Sequence, residues 1–172
     1  MQFQHTLKRN YSFEGKGLHT GKYAKMTVCP AAENTGIVFV RTDIGPEAVV
    51  KALAENVSTT TRSTTISQNG ASVSTIEHIL SALTGMGVDN ALIEIDNVEV
   101  PILDGSAKPY IDAIWADGFV QQNEPRKYIE IKETVEVVNE EVGSIVRIEP
   151  AEEFSYDIMV DFNSKVLGVQ HA

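Results

Sequence analysis

The chain has 172 residues, 42% of them hydrophobic, with a formal net charge of −10 and an isoelectric point near 4.8. That charge argues against a general nucleic-acid or anionic-membrane binder, which needs a basic patch to neutralise phosphate, and no run approaches the roughly 20 apolar residues that a membrane span requires. The single cysteine, Cys29, excludes an intrachain disulfide and a cysteine-rich zinc knuckle, and with the lack of an apolar signal core it points to a reducing, cytoplasmic compartment.

Residues 5 to 14 carry Leu7, Tyr11 and Phe13 at positions that suit a strand, which runs into Gly15-Lys16-Gly17-Leu18-His19-Thr20-Gly21. Three glycines in seven residues predict a tight loop. It lacks the Walker spacing and a following helix pattern, so it matches a phosphate cradle poorly. His19 at its tip is either exposed decoration or a site residue. Tyr23 to Cys29 alternates, with Ala24, Met26 and Val28 against Tyr23, Lys25 and Thr27, and reads as a half-buried strand with Cys29 as buried filler at its end. A turn at Glu33 to Gly36 and an apolar run over Ile37 to Arg41 predict a hairpin with that strand. A further short strand is expected within Ala48 to Leu53. Residues 56 to 67 are β-prone and rich in Ser and Thr around Arg62; such a run either lines a cleft or forms a hydrated edge. Asn69-Gly70 is a hairpin signal that folds this run back as Ala71 to Val73.

Ser74 to Asn90 reads as a short helix. Ser74 followed three residues later by Glu77 has the form of a capping box, and Gly85 or Gly87 suits the left-handed residue that ends a helix. Ile76, Ile79, Leu80, Leu83 and Met86 fall on one apolar stripe. His78 points the other way, with the small residues Ser81, Ala82 and Gly85 around it and Glu77 at the flank. A solvated face normally carries long charged side chains, so this one suggests close approach by a ligand, a metal or a second protein layer. Ala91 to Asp96 then reads as a strand, with Val98 to Leu103 extended behind it. Ser106 as cap, Pro109 in the first turn and Ile111, Ile114 and Trp115 predict a second helix that stops near Gly118. Asp104 before it is either a turn and capping residue, the favoured reading, or a site carboxylate.

Gln121 to Pro125 reads as a polar break. Beyond it the pattern is strands only, over Tyr128 to Val138, Ser144 to Ile148 and Phe154 to Phe162. Residues 126 to 172 hold ten of the 24 acidic residues. Ile129, Ile131, Val135 and Val137 share a face with no helical pattern following to cover it, and three such strands are a marginal unit alone. The expectation is an α+β chain: residues 1–124 a two-layer, β-rich domain with two helices, and residues 125–172 the opening strands of a truncated second domain.

Glu77-His78 carries the candidate chemistry. In one reading Glu77 closes a capping box and His78 lies on the surface. In the other, His78 ligates a metal and Glu77 takes a proton from the attacking water. A catalytic zinc normally has three protein ligands, and the remaining histidines, His5, His19 and His171, form no i, i+4 pair. Any zinc site is therefore only partly supplied here.

The segments Gly-Lys-Gly-Leu-His-Thr-Gly (15–21), Glu-Asn-Thr-Gly-Ile-Val-Phe-Val-Arg-Thr-Asp (33–43), Ser-Thr-Ile-Glu-His-Ile-Leu-Ser-Ala-Leu (74–83), Gly-Val-Asp-Asn (87–90) and Pro-Ile-Leu-Asp-Gly-Ser-Ala (101–107) closely resemble the UDP-3-O-acyl-N-acetylglucosamine deacetylase family. Members are zinc enzymes of lipid A biosynthesis in Gram-negative bacteria, and the likeness runs in order and spacing to about Phe162. The resemblance implies two sheet-on-helix domains that share an active site, with Glu77 as general base and His78 as the first zinc ligand. It also implies that Leu18, His19, Thr61, Arg62 and Ser63 border the groove for a UDP-linked acylated amino sugar. The family's other ligands, a histidine and an aspartate in a His-Lys-x-x-Asp motif, belong to the second domain and are absent from these 172 residues; His171 is not followed by such a motif. The expectation is that this chain alone holds zinc weakly or not at all and does not turn over. The rivals are a non-catalytic binding module of the same fold and a sugar-nucleotide binder using the glycine loop.

Overall fold

Alternation along Tyr23–Pro30 (β3) puts Ala24, Met26 and Val28 inside, each at most 1% exposed, and leaves Tyr23 and Lys25 in solvent. In this computed structural model, which describes residues 2–172, that strand belongs to the first of two compact units, Met1–Arg126 and Lys127–Ala172. The resemblance to a β-rich α+β architecture holds: strands predominate, with two helices among several small sheets.

The first unit begins with β1 (Phe3–Leu7) and β2 (Tyr11–Lys16), two strands where the sequence suggests one, and continues through β3 to β4 (Ile37–Arg41) and β5 (Val49–Lys51). The expected β3–β4 hairpin does not form. Ala91–Ile95 (β9) lies between them, antiparallel to β3 and parallel to β4, giving a five-stranded sheet in the order β2-β3-β9-β4-β5. Ala91, Ile93 and Ile95 are all 0% exposed, and a central position buries them between Met26 and Val28 on one side and Phe39 on the other. The turn at 33–36 instead spans the inserted strand, and Gly36 N–H is bonded by Asn90 Oδ1 at 2.8 Å.

A second sheet holds β6 (Val57–Thr59), β7 (Thr65–Gln68) and β8 (Ala71–Ser74). The β7–β8 turn is Asn69-Gly70, with φ 51° and 81°, the left-handed pair that a tight hairpin needs. Arg41, buried, ties the two sheets together: it pairs with both Asp43 carboxylate oxygens at 2.8 and 2.7 Å and donates to Ser72 O at 2.7 Å.

The helices are α1 (Glu77–Gly85) and α2 (Lys108–Trp115). Ile79, Ala82 and Leu83 of α1 and Tyr110 and Ile114 of α2 enter the same core as the sheet residues. Ala82, grouped by the helical wheel with the small-residue face, is fully buried, so that face narrows to Ser81 and Gly85. Tyr110 is sealed beneath α2, donates its hydroxyl to Pro101 O at 2.9 Å and meets Phe13 edge-on at 4.8 Å. Asp104 takes the turn role expected of it, accepting from Ser106 N–H and Oγ–H.

The supposed polar break is a strand, β10 (Phe119–Pro125), antiparallel to β1. Its polarity has a use. Asn90, 1% exposed, donates to Gln4 Oε1 and Gln122 Oε1 at 2.8 and 2.7 Å, while Gln4 and Gln122 donate onward to Asn34, Pro125 O and Ala31 O. Every polar atom of this buried cluster is satisfied, which is the condition for tolerating it.

In the second unit, β11 (Val135–Asn139) pairs with β12 (Ser144–Ile148), and β13 (Met159–Asp161) with β14 (Val169–His171). The first and third strands are shorter than the sequence pattern suggests, and β14 was not foreseen. None of the described residues after Arg126 is buried. Val135 and Val137 stand opposite Ile148 and Val146, an apolar face open to solvent.

Replacing Asn90 with Ala takes the partner from Gly36 N–H and from the Gln122 carbonyl, and leaves the Gln4 carbonyl with Asn34 N–H alone. Urea unfolding should show a loss of about 3 kcal/mol; a loss under about 0.5 kcal/mol would mean that the cluster carries no stability.

Candidate functional site

Glu77 and His78 open α1, two residues later than the capping-box pattern suggests. Ser74 is instead the last residue of β8, with its N–H bonded to Val98 O at 2.8 Å. Thr75 follows at φ 58°, a left-handed conformation that a β-branched side chain strongly disfavours. This single residue turns the chain from strand to helix. Ser74 does not cap the helix; the N-cap position is Ile76, which has no side-chain cap. Glu77 accordingly does not close a box, and its Oε2 accepts Thr64 N–H at 3.1 Å. The carboxylate is held toward the β6–β7 loop, with its charge at the positive end of α1.

The far end of α1 is fastened as the glycine pattern requires. Gly87 sits at φ 75°, its N–H bonded to Thr84 O and Val88 N–H to Leu83 O, a Schellman closure. Asp89 then accepts both Arg126 Nε and Nη2 at 2.8 Å and His5 N–H at 2.8 Å. Arg126 also reaches Gly87 O at 2.6 Å.

His78 is half-buried, and among the described residues its ring makes no hydrogen bond; only its carbonyl is engaged, by Ser81 Oγ at 2.9 Å. A free imidazole beside a carboxylate fits one corner of a zinc site. The corner is incomplete, because no group of three His, Cys, Asp or Glu side chains fit to hold a metal occurs among the described residues.

Thr61, Arg62 and Ser63 lie in the loop that Glu77 holds. Thr61 and Arg62 are exposed, Ser63 is half-buried, and Arg62 has φ 61°. Leu18, 60% exposed, and His19 stand on the glycine loop between β2 and β3. That loop is tied to α1 by a residue that sequence reasoning passed over. Glu99, 1% exposed, accepts His19 N–H at 2.9 Å, Thr20 N–H at 2.8 Å and the Thr75 hydroxyl at 3.0 Å. Gly17 is required beneath it, since a Cβ there would fall 2.2 Å from Glu99 Oε2. Burial pushes the Glu99 carboxyl up, yet the His19, Thr20 and Thr75 hydrogen bonds outweigh it and hold it at about 2. The available signal was a lone acid flanked by valines in an extended run.

The chain is similar to known proteins over almost its whole length. The model of the family described as LpxC, UDP-3-O-acyl N-acetylglycosamine deacetylase, matches residues 4–172. A bifunctional LpxC/FabZ enzyme of Porphyromonas gingivalis is 46% identical over all of this chain and 37% of its own length. A UDP-3-O-acyl-N-acetylglucosamine deacetylase of Nitrosococcus oceani is 44% identical over 93% of this chain and 52% of its own, and one of Helicobacter hepaticus 45% over 98% and 55%. The chain thus spans about half, or less, of the length of these curated relatives.

Because Glu99 titrates below its ordinary value when folded, the stability it adds is full above about pH 4.5 and is lost as pH falls toward about 2. Unfolding midpoints of the wild type should therefore drop more steeply across that window than those of Glu99→Gln. Parallel pH curves for the two proteins would refute the assignment.

Proposed function

Since this chain belongs to the UDP-3-O-acyl N-acetylglycosamine deacetylase family, we propose that it forms the N-terminal part of a zinc-dependent amide hydrolase that removes the N-acetyl group of UDP-3-O-acyl-N-acetylglucosamine. The observation that carries this is the opening of α1, where the unengaged His78 ring stands beside a carboxylate fixed by Thr64 N–H. His78 is the residue of this chain that would hold zinc. When bound, zinc supplies Lewis-acid polarisation of the amide carbonyl.

Glu77 acts as general base. It takes a proton of the water whose oxygen bonds to the acetyl carbon; that proton passes to the departing nitrogen as the C–N bond breaks, and acetate and the free glucosamine amine leave. Its bond from Thr64 N–H fixes one oxygen and leaves the other to face the water. Leu18 and His19 on one loop and Thr61, Arg62 and Ser63 on the other border the groove for the UDP-linked acylated amino sugar. The remaining zinc ligands belong to the second domain, which residues 125–172 begin after the first domain of residues 1–124. The greater length of the relatives supports that division. We place the reaction in the cytoplasm of a Gram-negative bacterium, as a step of lipid A biosynthesis; no helix among the described residues is long and apolar enough to cross a membrane.

In the full-length protein, Glu77→Gln should lower kcat by about 10²- to 10⁴-fold while zinc content, measured by atomic emission, stays near wild type. His78→Ala should lose both. Equal zinc occupancy in wild type and His78→Ala would favour a non-catalytic module of the same fold. The 172-residue chain by itself should show no turnover; chelator-sensitive activity from it would overturn the division of ligands.

A further inference from the structure

We propose that Glu99 is a positioning residue that sets the glycine loop carrying Leu18 and His19 against the helix carrying Glu77 and His78. The proposal rests on the reading of those residues given above. Two atoms do the joining. Oε1 accepts from His19 N–H and from the Thr75 hydroxyl, and Oε2 accepts from Thr20 N–H. Thr75 is the left-handed residue from which α1 departs, two positions ahead of Glu77. One carboxylate therefore bonds directly to both bodies that border the site.

Its own backbone leaves little freedom to follow either partner. The flanking residues are paired with the end of β8, through Ser74 N–H to Val98 O at 2.8 Å and Val100 N–H to Ser74 O at 3.1 Å. The side chain is buried, and Gly17 allows the loop backbone to lie directly on it. Three donors face two acceptor oxygens, so the geometry suits a carboxylate and no neutral isostere. A glutamine in its place turns an NH2 toward a donor, and the loop or Thr75 must give way. A displacement of about 1 Å at a reacting centre costs about 100-fold.

The test uses the full-length enzyme with Glu99→Gln, Gly17→Ala and His19→Ala, each normalised to folded protein by circular dichroism. Glu99→Gln should lower kcat/KM at least tenfold. Gly17→Ala, which forces the loop off an unaltered carboxylate, should do the same. His19→Ala should cost less in the Glu99→Gln background than alone, because the loop has already moved. Amide exchange at His19 or Thr20 should quicken at least tenfold in Glu99→Gln. Unchanged kcat/KM per folded molecule, full additivity of the Glu99 and His19 losses, or unchanged exchange at both amides would each overturn the proposal. An inactive wild type would count against the deacetylase reading alone, since the exchange measurement needs no substrate.

Discussion

Strand β9 arrives late in the chain and is bonded on both sides by strands made long before it, β3 and β4. Parallel pairing with β4 cannot be reached by a tight turn; it needs a crossover that leaves the sheet and returns. Helix α1 is the last leg of that crossover, so its position is dictated at both ends. Ser74 and the Val98–Val100 backbone fix where it starts, and His5, Asp89 and Arg126 fix where it stops. The side chains at its first two positions inherit this rigidity.

How far the sequence discloses these arrangements depends on the range over which each is decided. The β7–β8 turn at Asn69-Gly70, the closure of α1 at Gly87 and the Asp104 turn are local choices of backbone angle and short-range hydrogen bonding, and they are legible. The start of α1 is not. Ser74 and Glu77 have the chemistry of a capping box, but Val98 O, 24 residues away, accepts both the Ser74 N–H and its hydroxyl, and Thr64 N–H claims Glu77. Likewise Gln121 to Pro125 looks like a break because its one half-buried polar side chain, Gln122, finds its donor on Asn90 and its acceptor on Ala31, which no periodicity connects. Of the site, the Glu77-His78 pair is visible as a motif, whereas Glu99 is known only by the three donors that converge on it.

The two units make opposite use of their apolar residues. In the first, Met26, Phe39, Ile93 and Leu83 meet in one core and are at most 1% exposed. In the second, Val135, Val137, Val146 and Ile148 line up across a regular hairpin and remain at least half exposed. Strand alternation is intact there, but a two-stranded ribbon has nothing of its own to bury the face against.

The insertion of β9 also orders events during synthesis. When Arg41 has emerged from the ribosome, β3 and β4 each still have a bare edge, and neither can be satisfied until Ile95 has been made. Closing the sheet and seating α1 are then one event, because the strand that fills the gap continues directly from the helix. A translational pause placed between these segments would hold the nascent chain with the facing edges of β3 and β4 unpaired, for want of the five residues of β9.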